Sequence, residues 1–493
     1  MAYIAAVLGY LGLLVFIALR RARTVHTQDD FMVAGRSASW QLLVGTLVCT
    51  WIGSGSLFGG AGRAFREGFS ALWMSAGAWV GIALVFFLAA RVRRIAEYTV
   101  PDLLERRYHP AARVLGTVAI AIAYLTIAGY QFVGGGRLLN ILVPGLAPEA
   151  GMAIVAVLVT VFAVSAGMIS VLRLDVVNGI IIIASIVIAA PIAYFAAGGA
   201  EGLTTALPET HFTVTGRLGI SAALGLFLPT MLLLLGESGM YQKFYAARSG
   251  AAARKAVIGM IVGVVLIEVL IDATAIFAAA DLWNDPAFRG PDGSLDRGAT
   301  ETVLLSFARH GLPMLAGCLL LAGAVAIIFS TATTFLLVPS TGLARDVYQR
   351  FLRPGADSRT VIRFQRLAMI GLSAVALLLT TRFESILDMA LYAYTMVGAA
   401  VTPALLAAFL WKRASPAGGV ISISAGIATT LLFSALNSLG VERIGFLPTE
   451  YDYVVYPAAV ASLTGLILGS LLTAPPRPDQ VAPFLSSGGP KEG

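Results

Sequence analysis

The chain has 493 residues, of which 58% are hydrophobic and only 12% charged, and its mean hydropathy is +0.84. Soluble domains carry about a quarter charged residues, and disordered chains need low hydrophobicity with high charge, so both classes are excluded and a polytopic membrane protein is left. The net charge of +7 is therefore not read as nucleic-acid binding; in such a chain basic residues report orientation across the lipid bilayer.

The first apolar run, Ala2 to Leu19, has no positive charge ahead of it and Arg20 and Arg21 behind it. That polarity is wrong for a cleaved signal peptide and reads as a first membrane helix with its amino end outside. A bilayer core of about 30 Å needs about 20 apolar residues per helix. On that measure the sequence predicts thirteen transmembrane helices, at 3–20, 38–62, 70–91, 112–135, 151–168, 173–198, 217–238, 252–280, 310–341, 362–381, 384–410, 415–436 and 451–473. The division between segments five and six rests on Gly167, Ser170, Arg173 and Asp175. With the amino terminus outside, 25 of the 34 basic residues fall on the cytoplasmic side, Lys243 among them. The long loop 281–309 is instead acidic, with Asp281, Asp285, Asp292, Asp296 and Glu301. This asymmetry predicts the carboxyl terminus inside. The longest loops, about 30 residues, and the tail from 474 are too short for a separate domain. No phosphate-binding loop ending in Lys-Ser/Thr occurs, which excludes an ATP-driven pump. Cys49 and Cys318 both sit in apolar runs and offer neither a disulfide framework nor a metal spacing.

Segment two is no plain span. Its run GTLVCTWIGSGSLFGGAG carries Gly45, Gly53, Gly55, Gly59, Gly60 and Gly62, with Thr46, Thr50, Ser54 and Ser56 among them. Segment seven has Pro229 mid-span and Gly236 and Gly239 near its end. Glycine also serves tight helix contacts, so either run alone has a packing explanation. The two lie five helices apart, however. Interrupted helices at matching places in two halves point to an inverted-repeat secondary transporter, whose half-helix ends offer carbonyls to a cation.

Segment nine adds AIIFSTATTF, where Ile327, Ser330 and Thr331 share one helix face. Such hydroxyls often bond back to their own helix or join two helices. Clustered opposite a broken helix, they also form the hard oxygen set that suits a small alkali cation. Acids at membrane depth mark ion or substrate paths, or are protonated or paired within the bundle. Glu268 and Asp272 lie one turn apart in segment eight, Asp175 opens segment six, Glu237 closes segment seven and Asp388 starts segment eleven.

The chain resembles the sodium:solute symporter family from about residue 30 to about 420. The resemblance rests on FMVAGRSASW (31–40), the run from Cys49 to Gly68, VPDLLERRY (100–108) and GMISVLRLDVVNGI (167–180). It continues with YQKFYAARSGAAARKA (241–256), FSTATTFLLVPSTGLARDVYQRF (329–351) and FLWKRASPAGGV (409–420). It implies an all-α fold with a five-plus-five inverted-repeat (LeuT-like) core and two broken helices. The repeats would be 38–200 and 201–411. A first helix and linker (1–37), two additional helices (412–473) and a cytoplasmic tail (474–493) would lie outside them.

The same resemblance implies a sodium site of the Cys49, Ile52 and Ile327 carbonyls with the Ser330 and Thr331 hydroxyls, and an ion-passage role for Asp175. Arg173, Leu174 and Asn178 depart from the family pattern beside that aspartate. TWIGSG (50–55) is similar to the choline transporters, where the tryptophan helps cage a quaternary amine by cation–π attraction. Their seventh-segment Pro-Trp is absent, and Glu237-Ser238-Gly239 stands there. The substrate-site candidates are Trp51, Ser54, Tyr130, Gln131, Glu237, Tyr392 and Tyr394. The expected function is sodium-coupled symport of a small polar organic solute, a zwitterion or quaternary amine such as proline, betaine or choline, across the bacterial inner membrane. The alternative is proton coupling through Glu268 and Asp272. A channel is disfavoured by unequal spans, and an intramembrane serine protease by the placement of His26, His109, His211 and His310 away from membrane depth.

Overall fold

The sixteen main helices follow the predicted order. The computed structural model describes residues 2–21, 28–95, 97–165, 167–383 and 385–485. We number them α1 (Ala2–Arg21), α2 (Trp40–Trp51), α3 (Ala61–Glu67), α4 (Leu72–Ile95), α5 (Pro110–Leu142), α6 (Pro148–Ser165), α7 (Met168–Ala196) and α8 (Gly219–Gly236). The rest are α9 (Ser238–Ala246), α10 (Gly250–Leu282), α11 (Met314–Gly342), α12 (Ser358–Leu379), α13 (Ile386–Ala400), α14 (Thr402–Leu410), α15 (Pro416–Ser438) and α16 (Val455–Leu472). Segment two becomes α2 and continues past its predicted end into α3, segment seven becomes α8 with α9 beyond it, and segment eleven becomes α13 and α14.

Eleven helical runs among the described residues are long and apolar enough to cross a membrane. The expected count of thirteen is not reached on that criterion; Trp40–Trp51, for one, is too short alone. The run Gly55–Ile95 is in fact turned at Gly68, whose φ of +68° only glycine adopts readily. Lys491, Arg23 and His26 lie outside the described residues.

Three expectations need correction. Pro229 does not interrupt segment seven: it lies within continuous α8, and the break comes at Glu237, with ψ of 104°. The boundary between segments five and six falls at Gly167, the N-cap of α7, so Ser170, Arg173 and Asp175 are helical. Lys243 is not a loop residue. The chain re-enters helix after Glu237, and this places Lys243 in α9 with no solvent exposure.

The two halves pack reciprocally. Helix α4 lies against α8, and α10 lies against α2. Both contacts use glycines four residues apart. A Cβ at Gly77 would stand 2.2 Å from the Phe227 carbonyl oxygen, and one at Gly81 2.7 Å from Leu234. Equally, a Cβ at Gly259 would stand 2.3 Å from Val44, and one at Gly263 2.9 Å from Val48. This spacing puts small residues on one helix face and lets helices approach closely in lipid, where apolar surface gives no drive for association. Helices α5 and α7 then pack on α11 at the centre. Helix α1 lies against α11 from outside, while α15 and α16 pair and lean on α13.

On the side predicted to be cytoplasmic, the sequence VPDLLERR forms the helix Val100–Arg107. Thr99 and Asp102 cap its start reciprocally. Part of the tail folds as the helix Pro478–Leu485, held by a Gln480 bond to the Tyr108 carbonyl and by Phe484 against Phe409. The expected acidic loop 281–309 includes the short helix Arg297–Thr300 and leads into Val303–His310. Glu301 there receives the Ile386 and Leu387 N–H groups and pairs with Arg137 at 2.5 Å. One two-stranded ribbon, Arg443–Ile444 with Leu447–Pro448, is the departure from all-helical structure among the described residues.

Candidate cation and solute site

The first break begins where α2 stops. Ser39 caps its start. At Ile52 the backbone turns extended, with φ of −70° and ψ of 100°, and at Ser54 it is helical again. Carbonyls at such an end have lost their helical partners and must find others. Gly53 is required by close approach, since a Cβ there would stand 2.9 Å from Gln131 Nε2 and 3.1 Å from Thr331 Cγ2.

Thr331, at the middle of α11, faces this gap. Its hydroxyl lies 3.3 Å from the Cys49 carbonyl oxygen and 3.2 Å from that of Ile52. One hydroxyl proton is shared between two acceptors at long range, so three oxygens converge on a single weakly held donor. That donor chemistry fits a hard monovalent cation. Ile327 is buried one turn earlier on the same helix. Ser330, next to Thr331, donates to Asp175 Oδ1 at 2.5 Å. The structure thus brings Cys49, Ile52 and Thr331 together directly, with Ser330 joined to them through α11.

Asp175 is buried and held from several sides. It accepts hydrogen bonds from Ser330 and Thr46, and its backbone carbonyl accepts one from the Cys49 thiol at 2.9 Å. The Lys243 amine stands 4.0 Å from its Oδ2. That amine also donates to the Thr46 carbonyl at 3.0 Å and to the Thr50 hydroxyl.

On the opposite side of the break, the Trp51 indole N–H donates to Glu268 Oε1 at 2.8 Å and that of Trp79 to Oε2 at 2.9 Å. Ser56 lies 3.5 Å from the same carboxylate, and Ser75 lies 3.4 Å from Asp272. The Trp51 ring is 5.9 Å from Tyr394, whose hydroxyl is 3.4 Å from that of Tyr130. Gln131 Oε1 accepts the Ser54 N–H at 2.9 Å. Gln131 Nε2 and Ser54 Oγ are buried beside the break without a partner among the described residues. Trp51, Tyr130, Tyr394, Gln131 and Ser54 therefore surround the first break.

Glu237 belongs to the second break, where it caps α9. It accepts the Gly239 N–H at 3.0 Å, the Met240 N–H and the Tyr124 hydroxyl. It shares a small internal cavity with Thr50, Trp51, Leu234, Met240 and Phe335. Tyr392 lies apart, its ring 5.4 Å from Phe383 and 6.2 Å from Tyr451. Asp388 is also away from the break, 3.9 Å from Arg297.

Sequence reasoning missed Lys243, Trp79 and Thr46. The signal for Lys243 was Glu237-Ser238-Gly239, a carboxylate ahead of small residues that starts a helix where the hydropathy pattern suggested an end. Trp79 carried no signal beyond its place in an apolar run.

Comparisons with known proteins bear on the fold and the family. The pattern of the sodium:solute symporter family matches residues 31–426. The high-affinity proline transporter PutP of Bacillus subtilis (strain 168) is 26% identical, over 91% of this chain and 93% of its own. The sodium/proline symporter of Escherichia coli (strain K12) is 24% identical, over 95% and 92%. A Na+-coupled sialic acid symporter in a substrate-bound outward-open state superposes with a TM-score of 0.76 at 15% identity, over 96% of this chain and 98% of its own. MhsT, solved with L-phenylalanine, superposes at 0.54 with 15% identity. These likenesses show the LeuT-like helical fold, and the family match carries the activity. The chain belongs to the sodium:solute symporter family and is a multi-pass, sodium-coupled secondary transporter of a small solute, not an enzyme.

Proposed function

We propose that the co-transported sodium is held at the first break by the Cys49, Ile52 and Ile327 carbonyls and the Thr331 and Ser330 hydroxyls. The observation that carries this reading is the Thr331 hydroxyl within 3.3 Å of two carbonyl oxygens released by the break. The solute sits beside it, among Trp51, Ser54, Tyr130, Gln131 and Tyr394. Ser54 Oγ and Gln131 Nε2 offer it unpartnered polar atoms, and Trp51 offers a π-face for a positive group. Glu237 holds the second break, and Tyr392 belongs to the outer packing. Glu268 anchors Trp51, with Asp272 one turn behind it.

The solute class is a small zwitterionic amino acid such as proline. Support comes from the proline transporters among the relatives and from the gathering of an aromatic face, the Trp51 ring, with the Gln131 amide and the Ser54 hydroxyl beside the break. Residues 38–200 and 201–411 form the two repeats, which the reciprocal glycine contacts support. Sodium binding draws α11 onto the broken element α2–α3 and favours the solute-competent state; release on the other side completes alternating access. One charge crossing about 100 mV supplies about 2.3 kcal/mol, enough for more than tenfold accumulation. The membrane is a bacterial inner membrane, with the amino terminus outside, as the arginine asymmetry indicates. The test is proline uptake into proteoliposomes under an imposed sodium gradient, compared with Ser330→Ala/Thr331→Ala. Uptake that needs sodium and fails in the double variant supports the site; sodium-independent uptake refutes it.

A further inference from the structure

We propose that the Lys243 ammonium is a resident counter-cation for Asp175, which limits the coupling to one sodium per cycle. This rests on the sodium-coupled reading above and goes beyond it to stoichiometry.

The amine has no exposure and Asp175 only 1%. A charged group so deep must be paired or gain a strong set of donors. Among the described residues, the ion pair found for each of them is the one they make together. The amine's other neighbours are the Thr46 carbonyl at 3.0 Å and the Thr50 hydroxyl. Its immediate surroundings are thus a carboxylate, a carbonyl and a hydroxyl, all hard oxygens, the kind of set that an alkali cation takes, with the Glu237 carboxylate also within electrostatic reach. Lys243 fills that place with a cation that cannot leave.

Its tether is rigid. Helix α9 is fastened to the chain ahead of α2 by Ala38 N–H to the Ala246 carbonyl at 2.9 Å, Arg248 N–H to the Ala38 carbonyl at 3.0 Å, and Gln242 to the Met32 carbonyl at 2.8 Å. The ammonium therefore joins the near halves of the two broken elements, α2 and α9. By contrast, the oxygens around Thr331 are neutral. The mobile sodium there brings its whole charge into the membrane, while the nearby carboxylate is already balanced. The two cationic places are separate but linked: Ser330, next to Thr331, donates to the carboxylate that Lys243 faces.

The substitution Lys243→Met removes the charge, nearly keeps the length and leaves the oxygen set. Asp175 then needs a new cation, and a second sodium answers. The experiment measures sodium bound per chain by equilibrium binding to purified protein in detergent, and transported charge per solute in proteoliposomes. Wild type is expected to bind about one sodium with a Hill coefficient of about one, and K243M about two, with charge per solute doubled. Adding D175N to K243M should return both to about one. A wild type that binds two sodium ions overturns the proposal, whatever the variant does. So does an active K243M that still binds one. If K243M does not fold, K243Q takes its place. A wild type that binds no sodium and transports without it would instead overturn the sodium-coupled reading.

Discussion

The Trp51 indole N–H and the Glu268 carboxylate meet at 2.8 Å, across a sequence separation of 217 residues. The contact ties the last residue of α2 to the middle of α10. It fixes the ring that faces Tyr394 and, in our reading, the solute. Trp51→Phe keeps a ring and removes the donor, leaving a buried carboxylate oxygen one bond short, a loss of about 1–3 kcal/mol. The expected outcome is a rise of about tenfold or more in the KM for proline, with the sodium-induced rise in melting temperature retained. An unchanged KM would remove Trp51 from the solute site.

The glycine contacts between the repeats give a stability prediction. Gly77→Ala places a methyl 2.2 Å from the Phe227 carbonyl oxygen, and backbone must move to admit it. Overpacking of this kind costs about 1–3 kcal/mol. The apparent melting temperature should fall by several degrees, whereas Gly12→Ala, with nothing within 4 Å, should leave it unchanged. Equal melting curves for the two variants would show that α4 and α8 are not in this contact.

At the end predicted to be cytoplasmic, Arg113 is the hub of a buried cluster. It pairs with Asp102, Glu105 and Asp346, the last at 2.7 Å. Asp346 lies in the helical stretch Leu343–Leu352 that continues α11, so the cluster ties the helix of the cation site to the helix Val100–Arg107. Arg113→Met leaves three carboxylates without their shared cation, and breaking a buried pair costs about 3–5 kcal/mol. Loss of folded protein in detergent is expected, with partial rescue by Asp346→Asn. No rescue would mean that Arg113 acts by packing and not by charge.

Glu105 gives a pH dependence of known sign. Burial pushes its carboxyl up, but hydrogen bonds from Arg350 and Arg113 outweigh this and hold it below its usual range. A folded value below the unfolded one, about 4.3, stabilises fully above that pH and is lost as pH falls through the folded value. The melting-temperature difference between wild type and Glu105→Gln should be constant above about pH 5 and shrink below about pH 4. A difference that instead grows on acidification would contradict the sign.

Much of this architecture was legible in the residues. Hydropathy located the long helices, because a lipid-facing helix must be apolar along its length, but not the short halves α3 and α9 that follow the two breaks. The glycine and hydroxyl run around Cys49 to Gly62 located the first break. The second was legible in Gly236 and Gly239, which flank Glu237 at the break, whereas Pro229 is tolerated mid-helix where neighbouring helices satisfy the freed backbone; the helix α9 beyond the break was not read from the sequence. Lys243 was lost with it, since a lysine after an apolar run looks like a loop residue until the continuing helix is seen. The Gly77/Gly81 and Gly259/Gly263 pairs drew no reading from the sequence, because only the fold shows which helices they bring together and that the contacts are reciprocal. The Thr331 contact with Cys49 and Ile52 depends on packing between chain positions 279 and 282 residues apart, which hydropathy cannot reveal.

The central claim is that sodium couples through the oxygens at Thr331 and the first break. Its most direct test is binding of radioactive sodium to purified protein at rising concentration, wild type against Thr331→Ala and Thr331→Ser. Saturable binding is expected in wild type, near-wild-type affinity in Thr331→Ser, and at least about tenfold weaker binding in Thr331→Ala, equivalent to about 1.4 kcal/mol. Equal sodium affinity in Thr331→Ala and wild type would contradict it.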